Sequence, residues 1–266
     1  MGVPATIVMP RISTPAKIAA TKSYGARVLF SGSTSVEREA VVADVVRETG
    51  AVLVPPYDHP DIILGQGTLG LEMQEQVEDL IAEETTRRSG EGEKDTTKTT
   101  TQNKKGLDAI ITPCGGGGML SGTALSCEGT GIHVFGAEPS FEGADDCRRG
   151  LAAGKRIEQV STLTIADGLR TPVGALPWSI IHDRALVRAV YAVTEDQIKR
   201  ALRLVLERAK LVVEPSAVVG LAALLYNEDL RTLIQQEAGL DGWDVGVVFS
   251  GGNVSVEALG TLFQPS

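Results

Sequence analysis

Four consecutive glycines, Gly115–Gly118, are the residues whose type and spacing most clearly indicate ligand binding. An apolar run from Leu107 to Ile111 leads into them, and a small-residue segment of helical character follows from Met119. Each glycine loses much backbone entropy on folding, so such a run is useful where the backbone must approach another group closely. Bare N–H groups at a helix start form an anion site, commonly for phosphate. The alternative is a flexible linker, and the spacing matches neither the dinucleotide motif nor the P-loop.

The composition argues against several kinds of partner. Lys+Arg 25 against Asp+Glu 34 gives a net charge of −9, which disfavours nucleic acid and anionic membranes. No apolar run approaches the length of a membrane span, and we expect no signal peptide. Three widely spaced cysteines, Cys114, Cys127 and Cys147, fit a reduced protein better than a disulfide scaffold or a zinc site. We therefore expect a cytoplasmic protein.

The first 56 residues alternate strand and helix patterns, which predicts parallel strands joined by right-handed crossovers. Thr14 and Pro15 fit the N-cap and first position of a helix. A turn-rich segment, Pro55–Pro60, is the candidate domain boundary. The predicted strands are 5–9, 28–30 and 51–54, and the predicted helices are 14–23 and 35–49.

The remaining sequence predicts further helices and strands around the glycine run. Helices are expected at 65–84 and 194–210, the second with Thr194 as its cap. Residues 87–106 carry no aromatic or large aliphatic side chain, which predicts a mobile insertion. The apolar strand 245–249 ends in Ser250-Gly-Gly-Asn253, at the position where open α/β sheets place ligand contacts. The alternative to a ligand contact is that these residues form a tight turn, which needs small side chains.

Seven segments resemble, in order, the fold-type II pyridoxal-phosphate (PLP) enzymes, most closely the serine racemase and threonine/serine dehydratase group. The resemblance covers nearly the whole chain outside 87–106. It implies an α/β fold of the tryptophan synthase β type, with an open parallel sheet and flanking helices. A large PLP-binding domain is expected at 57–266 and a partial small α/β domain at 1–56. The segments are VPPYDHPDIILGQGT, ITPCGGGGMLSG, VFGAEPS, GADDC, TIADGLRTPVG, VVEPSAVVG and VVFSGGN.

The resemblance also implies roles for individual residues at a cofactor site. The backbone amides of Gly115, Gly116, Gly117 and Gly118 are expected to hold the PLP phosphate. Ser250 is expected to hydrogen-bond the pyridine nitrogen, and its neutral hydroxyl leaves the ring unprotonated. Gly168 is expected to line the cofactor, and Tyr57 matches a position near the ring.

A cation site, a substrate contact and an effector contact follow from the same resemblance. Glu138, the Ala144 carbonyl and Asp146 resemble the family's divalent-cation site, and this donor set suits Mg²⁺ or Ca²⁺. The segment between Glu138 and Ala144 is longer than in serine racemases. Arg38 aligns with an arginine that relatives turn toward the substrate carboxylate. Asn253 matches the border of a nucleotide effector site, where ATP would bind.

Two family motifs have no match in this sequence. One is the Ser-x-Lys-x-Arg motif with the Schiff-base lysine, and the other is the Ser-x-Gly-Asn loop that grips the substrate carboxylate. The serine that serves the opposite face of Cα in racemases is also unmatched. Lys17 and Lys22 lie on the predicted helix 14–23 and look like surface residues. We therefore expect a chain truncated at its N-terminus, assign no catalytic residue and predict little or no activity.

The resemblance implies PLP-dependent racemisation of serine, or ammonia loss from L-serine or L-threonine. The expected partners are a small amino-acid substrate and a second copy of the chain, with no nucleic acid and no membrane. One alternative is a non-catalytic module that binds PLP or a nucleotide. Another is a cysteine-synthase-like β-replacement enzyme, against which the cation set at Glu138, Ala144 and Asp146 argues.

Overall fold

The computed structural model describes residues 2–33, 35–90, 106–240 and 242–264. The chain divides into two compact units. The first unit combines Met1–Pro55 with Gly251–Ser266, and the second unit is Pro56–Ser250. The division after Pro55 lies beside the predicted boundary, whereas the last 16 residues, which we expected in the large domain, belong to the first unit.

The first unit begins with the predicted strand–helix–strand–helix order. Its two strands pair in parallel, with Thr6 opposite Arg27. Thr14 precedes the first helix as predicted, but its side chain makes no capping hydrogen bond. The elements are β1 (Thr6–Pro10), α1 (Pro15–Ser23), β2 (Arg27–Ser31) and α2 (Ser35–Thr49).

The predicted strand at 51–54 is wrong. These residues form no regular element, and Val52 and Val54 are 89% and 72% exposed. A strand needs a neighbour for its backbone N–H and C=O groups. Within the described residues, β1 and β2 pair only with each other, so the apolar run has no strand beside it.

The second unit is built on a four-stranded parallel sheet flanked by helices, as predicted. The strand order is β5-β4-β3-β6. Helix α10 (Val256–Leu262) follows in the first unit. The elements of the second unit are α3 (Pro60–Gly90), β3 (Ala109–Pro113), α4 (Gly118–Ser126), β4 (His133–Pro139), α5 (Asp146–Ala153), α6 (Ala175–Ile181), β5 (Ala189–Val193), α7 (Glu195–Leu204), α8 (Val219–Tyr226), α9 (Glu228–Glu237) and β6 (Val245–Val247).

The core of the second unit lies around β3 and β4. All five residues of β3 are buried, and so are six of the seven in β4. Strand β3 lies between β4 and β6, and helices α4 and α8 pack against it, which explains its apolar run. Strand β6 is shorter than the predicted 245–249.

Helix α3 is longer than the predicted 65–84. Residues 87–90, which we assigned to a mobile insertion, belong to this helix, and residues 91–105 of that insertion lie outside the described residues. Helix α3 packs closely on α4, because a Cβ added at Gly122 would overlap the Ile63 carbonyl. In the described parts of the chain, none of the helices is both long and apolar enough to cross a membrane.

Candidate functional site

The glycine run and Ser250 leave neighbouring strands at the same edge of the sheet. Strands β3 and β6 pair in parallel, with Ile111 opposite Val247, and the Val248 N–H donates to the Ile111 carbonyl at 3.2 Å. The chain order reverses at this point, since β4 and β5 lie on one side of β3 and β6 on the other. Open α/β sheets bind ligands at such a switch point.

The glycine run forms the turn from β3 into α4. Gly117 has φ +86°, a conformation that side chains strongly disfavour, and α4 begins at Gly118. Within the described residues, the N–H groups of Gly115–Gly118 donate to no protein acceptor. The carbonyl of Gly116 accepts from Gly174 N–H at 3.1 Å, which fixes the loop. Free amides at a helix start suit a phosphate, so this geometry agrees with the predicted role.

The ring of Tyr57 packs on the glycine run. A Cβ added at Gly116 would overlap this ring, and one at Gly118 would lie 3.1 Å from the Tyr57 Cβ. Asp58 anchors the segment, because its two carboxylate oxygens accept the N–H groups of Ala175 and Leu176, each at 2.9 Å. These bonds cap α6 and hold Tyr57 beside the loop, close to the predicted cofactor site.

Gly168 lies against the other side of the run. A Cβ added at Gly115 would be 3.2 Å from the Gly168 carbonyl. The N–H of Gly168 donates to Ser216 Oγ at 3.0 Å, and a Cβ at Gly168 would be 3.5 Å from Glu214 Oε1. The segment that contains Glu214 and Ser216 is one of the seven that resemble the family, but the sequence predicted no role for either residue. The sequence feature that could have indicated a role is the polar Glu-Pro-Ser between apolar residues.

These residues fit the cofactor that the sequence implied. The unpaired amides of Gly115–Gly118 form a candidate phosphate-binding site, the phosphate cup. Because these residues carry no Cβ atoms, neighbouring groups can approach the loop closely. Tyr57 and Gly168 flank the cup in the same unit. Ser250 is exposed at the neighbouring strand end, where its hydroxyl is available to a ligand.

The predicted cation ligands lie where β4 meets α5. Glu138 is fully buried, and its Oε1 and Oε2 accept the N–H groups of Cys147 (3.1 Å) and Arg148 (3.0 Å). Asp146 begins α5, is buried, and accepts the Val173 N–H at 3.0 Å. Ala144 is buried two residues before it.

The electrostatics of these carboxyl groups favour a bound cation. Burial raises the pKa of Glu138 well above its ordinary value, and the nearby Cys147 and Asp146 raise it further. Burial raises the pKa of Asp146 to about 6. Two carboxylates and a carbonyl are oxygen donors, which are the ligands that Mg²⁺ and Ca²⁺ bind, so the donor chemistry is compatible with either ion.

Two cysteines that are distant in sequence meet at the same place. The thiols of Cys114 and Cys147 and the carboxylate of Glu138 lie within 4.8 Å of one another. The pKa of the Cys114 thiol is well above its ordinary value, because of its hydrogen bond with Cys147 and then of its burial. Sequence spacing argued against a zinc site here. The fold brings the end of β3 to the start of α5, which the spacing does not reveal.

The remaining two predicted contacts belong to the first unit. Arg38 is half-buried on α2, and Asn253 is exposed between β6 and α10. Their substrate and nucleotide roles stay predictions.

Comparison with known proteins gives consistent matches. The model of the family described as "Pyridoxal-phosphate dependent enzyme" matches residues 1–251. A serine racemase from Arabidopsis thaliana is 36% identical over 267 residues, covering 100% of this chain and 70% of the relative. An L-threo-3-hydroxyaspartate ammonia-lyase from Saccharomyces cerevisiae is 35% identical, covering 99% of this chain and 70% of the relative.

Solved structures agree with these relatives. The structure of maize serine racemase matches with a TM-score of 0.79 and 37% identity, over 98% of this chain and 69% of that chain. The chain therefore spans about 70% of the length of the relatives that it matches.

Proposed function

The chain belongs to the pyridoxal-phosphate dependent enzyme family and has its fold-type II α/β fold, and from this we propose that it binds PLP for chemistry on serine or threonine. The matched relatives are named as a serine racemase and an ammonia-lyase, so racemisation and ammonia loss are the proposed reaction classes. The observation that carries the proposal is the cup of unpaired amides at Gly115–Gly118.

Each residue of the site has a distinct task in this proposal. The amides of Gly115–Gly118, at the positive end of α4, bind the phosphate. Ser250 would hydrogen-bond the ring nitrogen, and Tyr57 and Gly168 would restrict water and orient the cofactor. When bound, PLP supplies an electron sink for bond breaking at the substrate Cα.

A divalent cation completes the proposed site. Glu138, the Ala144 carbonyl and Asp146 would bind Mg²⁺ or Ca²⁺, with water filling the remaining positions. Because Glu138 lies on β4 and Asp146 on α5, the ion would hold these elements together. A homodimer, an ATP effector and a cytoplasmic location are part of the same proposal.

Proton transfer at Cα is not assigned to any residue. The 266 residues contain no match to the Ser-x-Lys-x-Arg motif. We therefore expect this chain to bind PLP reversibly and to turn over little substrate, if any. A PLP-binding module without turnover is the second candidate function, because the phosphate cup is formed although the lysine motif is unmatched.

Ligand binding tests the proposed cup directly. We expect PLP to bind to the purified chain, as measured by equilibrium dialysis and visible absorption, and pyridoxal, which lacks the phosphate, to bind at least about tenfold more weakly. Ser250→Ala should weaken PLP binding. Ser179→Ala should not, since this exposed hydroxyl bonds only within α6. Equal binding of PLP and pyridoxal would contradict the phosphate cup.

Turnover separates the two candidate functions. Formation of D-serine or pyruvate from L-serine would establish the enzyme, and PLP binding without either product would establish the binding module. Borohydride reduction followed by mass spectrometry checks whether any lysine of this chain forms a covalent bond to PLP. A covalent adduct on one lysine would overturn the expectation of reversible binding.

A further inference from the structure

Three buried side chains from separate elements converge beside the glycine run. Cys114 follows β3, Glu138 lies on β4 and Cys147 lies in the first turn of α5. They are 1%, 0% and 1% exposed, and their ligand atoms lie within 4.8 Å of one another. Among the described residues, this is the group of histidine, cysteine and acidic side chains that could hold a metal ion.

We propose that Cys114, Cys147 and Glu138 form a binding site for a soft or borderline divalent cation, of which Zn²⁺ is the commonest. Two thiolates bound to tetrahedral zinc at about 2.3 Å lie about 3.8 Å apart. The observed separation of at most 4.8 Å therefore needs only a small contraction. Each thiol releases its proton to solvent as its sulfur binds the ion.

The donor set selects the class of ion. Thiolates favour Zn²⁺, Co²⁺ and Cd²⁺ over Mg²⁺ and Ca²⁺, which require oxygen ligands. Three protein ligands leave one tetrahedral position for water or another donor. The net charge of −1 from two thiolates, one carboxylate and a dication is offset by the N–H groups of Cys147 and Arg148, which donate to Glu138.

Glu138 is shared with the proposed Mg²⁺ or Ca²⁺ site, so the two ions would compete for this carboxylate. An ion on the cysteines would hold Cys114 in place, and Cys114 directly precedes Gly115 of the phosphate cup. The inference does not depend on PLP binding, because its ligands and its test involve the metal alone.

Because the ligands are buried, the ion should be incorporated as the chain folds. The chain is therefore produced in cobalt-supplemented medium and purified under reducing conditions. We expect one Co²⁺ per chain and a sulfur-to-cobalt charge-transfer band in the near ultraviolet. The variants are Cys114→Ala, Cys147→Ala and, as the matched control, Cys127→Ala, which removes a third buried thiol outside the cluster.

Cys114→Ala and Cys147→Ala should each bind at least about tenfold less cobalt per chain than the wild type and should lack the charge-transfer band. Cys127→Ala should keep both the bound cobalt and the band. Circular dichroism of the metal-free variants checks their folding. If the cluster variants do not fold, the wild-type spectrum decides: bound cobalt without a sulfur band would overturn the proposal. A wild-type chain that excludes cobalt would also overturn it, as would a Cys114–Cys147 disulfide that resists the reductant.

Discussion

At the scale of single residues, the candidate site depends on glycines, which carry no side chain, at positions 115 to 118. Gly116 and Gly118 face Tyr57, and Gly115 faces Gly168 and Leu169. The glycines therefore serve two purposes: they expose amide groups to a ligand and let protein groups pack against the loop. A methyl group at these positions would displace either a neighbour or the loop itself.

Gly116→Ala should destabilise the second unit by about 1–3 kcal/mol, because the new Cβ overlaps the Tyr57 ring. Thermal unfolding measures the loss. Gly65→Ala is the matched control, since a Cβ there meets nothing within 4 Å and alanine favours a helix by about 0.5–1 kcal/mol. Adding Tyr57→Ala to Gly116→Ala should recover part of the loss. An additive double variant would show that the two residues do not interact.

Asp146 should make the stability of the metal-free chain fall as pH rises. Its pKa is raised from 3.8 to about 6 in the folded chain, so between these values the folded state binds more protons than the unfolded state. The stabilisation is therefore full below about pH 4 and is lost as pH rises through about 6. The loss is on the order of 3 kcal/mol from this shift.

Denaturant unfolding between pH 4 and pH 7, with a chelator present, checks this slope. Asp146→Asn should flatten it while keeping a carbonyl to accept the Val173 N–H. Asp79→Asn, which removes an exposed carboxylate on α3, is the control for the substitution itself. An unchanged slope in Asp146→Asn would refute the assignment.

The glycine run could be singled out from its own pattern, and Glu138 and Asp146 from the family resemblance, because each lies in a contiguous segment of sequence. Sequence reasoning gave no role to Ser216 and argued against a metal role for Cys114 and Cys147. Those contacts join residues 33 to 48 positions apart and exist only once the sheet has formed. Spacing along the chain carries no information about such an approach.

At the scale of elements, capping distinguishes two helices that look alike in sequence. Thr194 and Gln197 form a complete capping box at the start of α7, whereas Thr14 makes no side-chain cap at the start of α1. Thr194→Ala should cost about 1 kcal/mol. Thr14→Ala should cost less, since its hydroxyl is buried and has no hydrogen-bond partner among the described residues. Calorimetry of both variants tests this, and equal losses would contradict it.

The pattern of residue types along the chain is not enough to predict where some helices and strands begin and end. The run at 51–54 has strand-forming residues, but a strand also needs a partner, which composition cannot supply. Helix α3 extends past its predicted end to Gly90, although Arg87 is exposed, because a helix can continue through its backbone hydrogen bonds beyond its last buried side chain. The buried strand β3 was easier to predict, because a strand in the middle of a parallel sheet carries a nearly continuous apolar run, which Ala109, Ile110 and Ile111 supply.

At the scale of the whole molecule, the two units differ in how much apolar surface they bury. The buried hydrophobic residues described run from Ile63 to Val248, all within the second unit. In the first unit, Ile7 and Phe30 of its small sheet are 39% and 38% exposed. Apolar burial is the main source of folding free energy, so stability should be concentrated in the second unit.

Hydrogen exchange should reveal this difference directly. Strands β1 and β2 each have one bonded neighbour, as β5 does in the second unit, so comparing the amides that donate between strands in β1, β2 and β5 separates burial from hydrogen bonding. We expect these amides of β1 and β2 to exchange at least about a hundredfold faster than those of β5, a gap of roughly 3 kcal/mol in local opening. Peptide-resolved mass spectrometry measures both sheets in one sample. Equal protection would mean that the first unit is stabilised by something other than its own apolar core, and the argument from burial would fail.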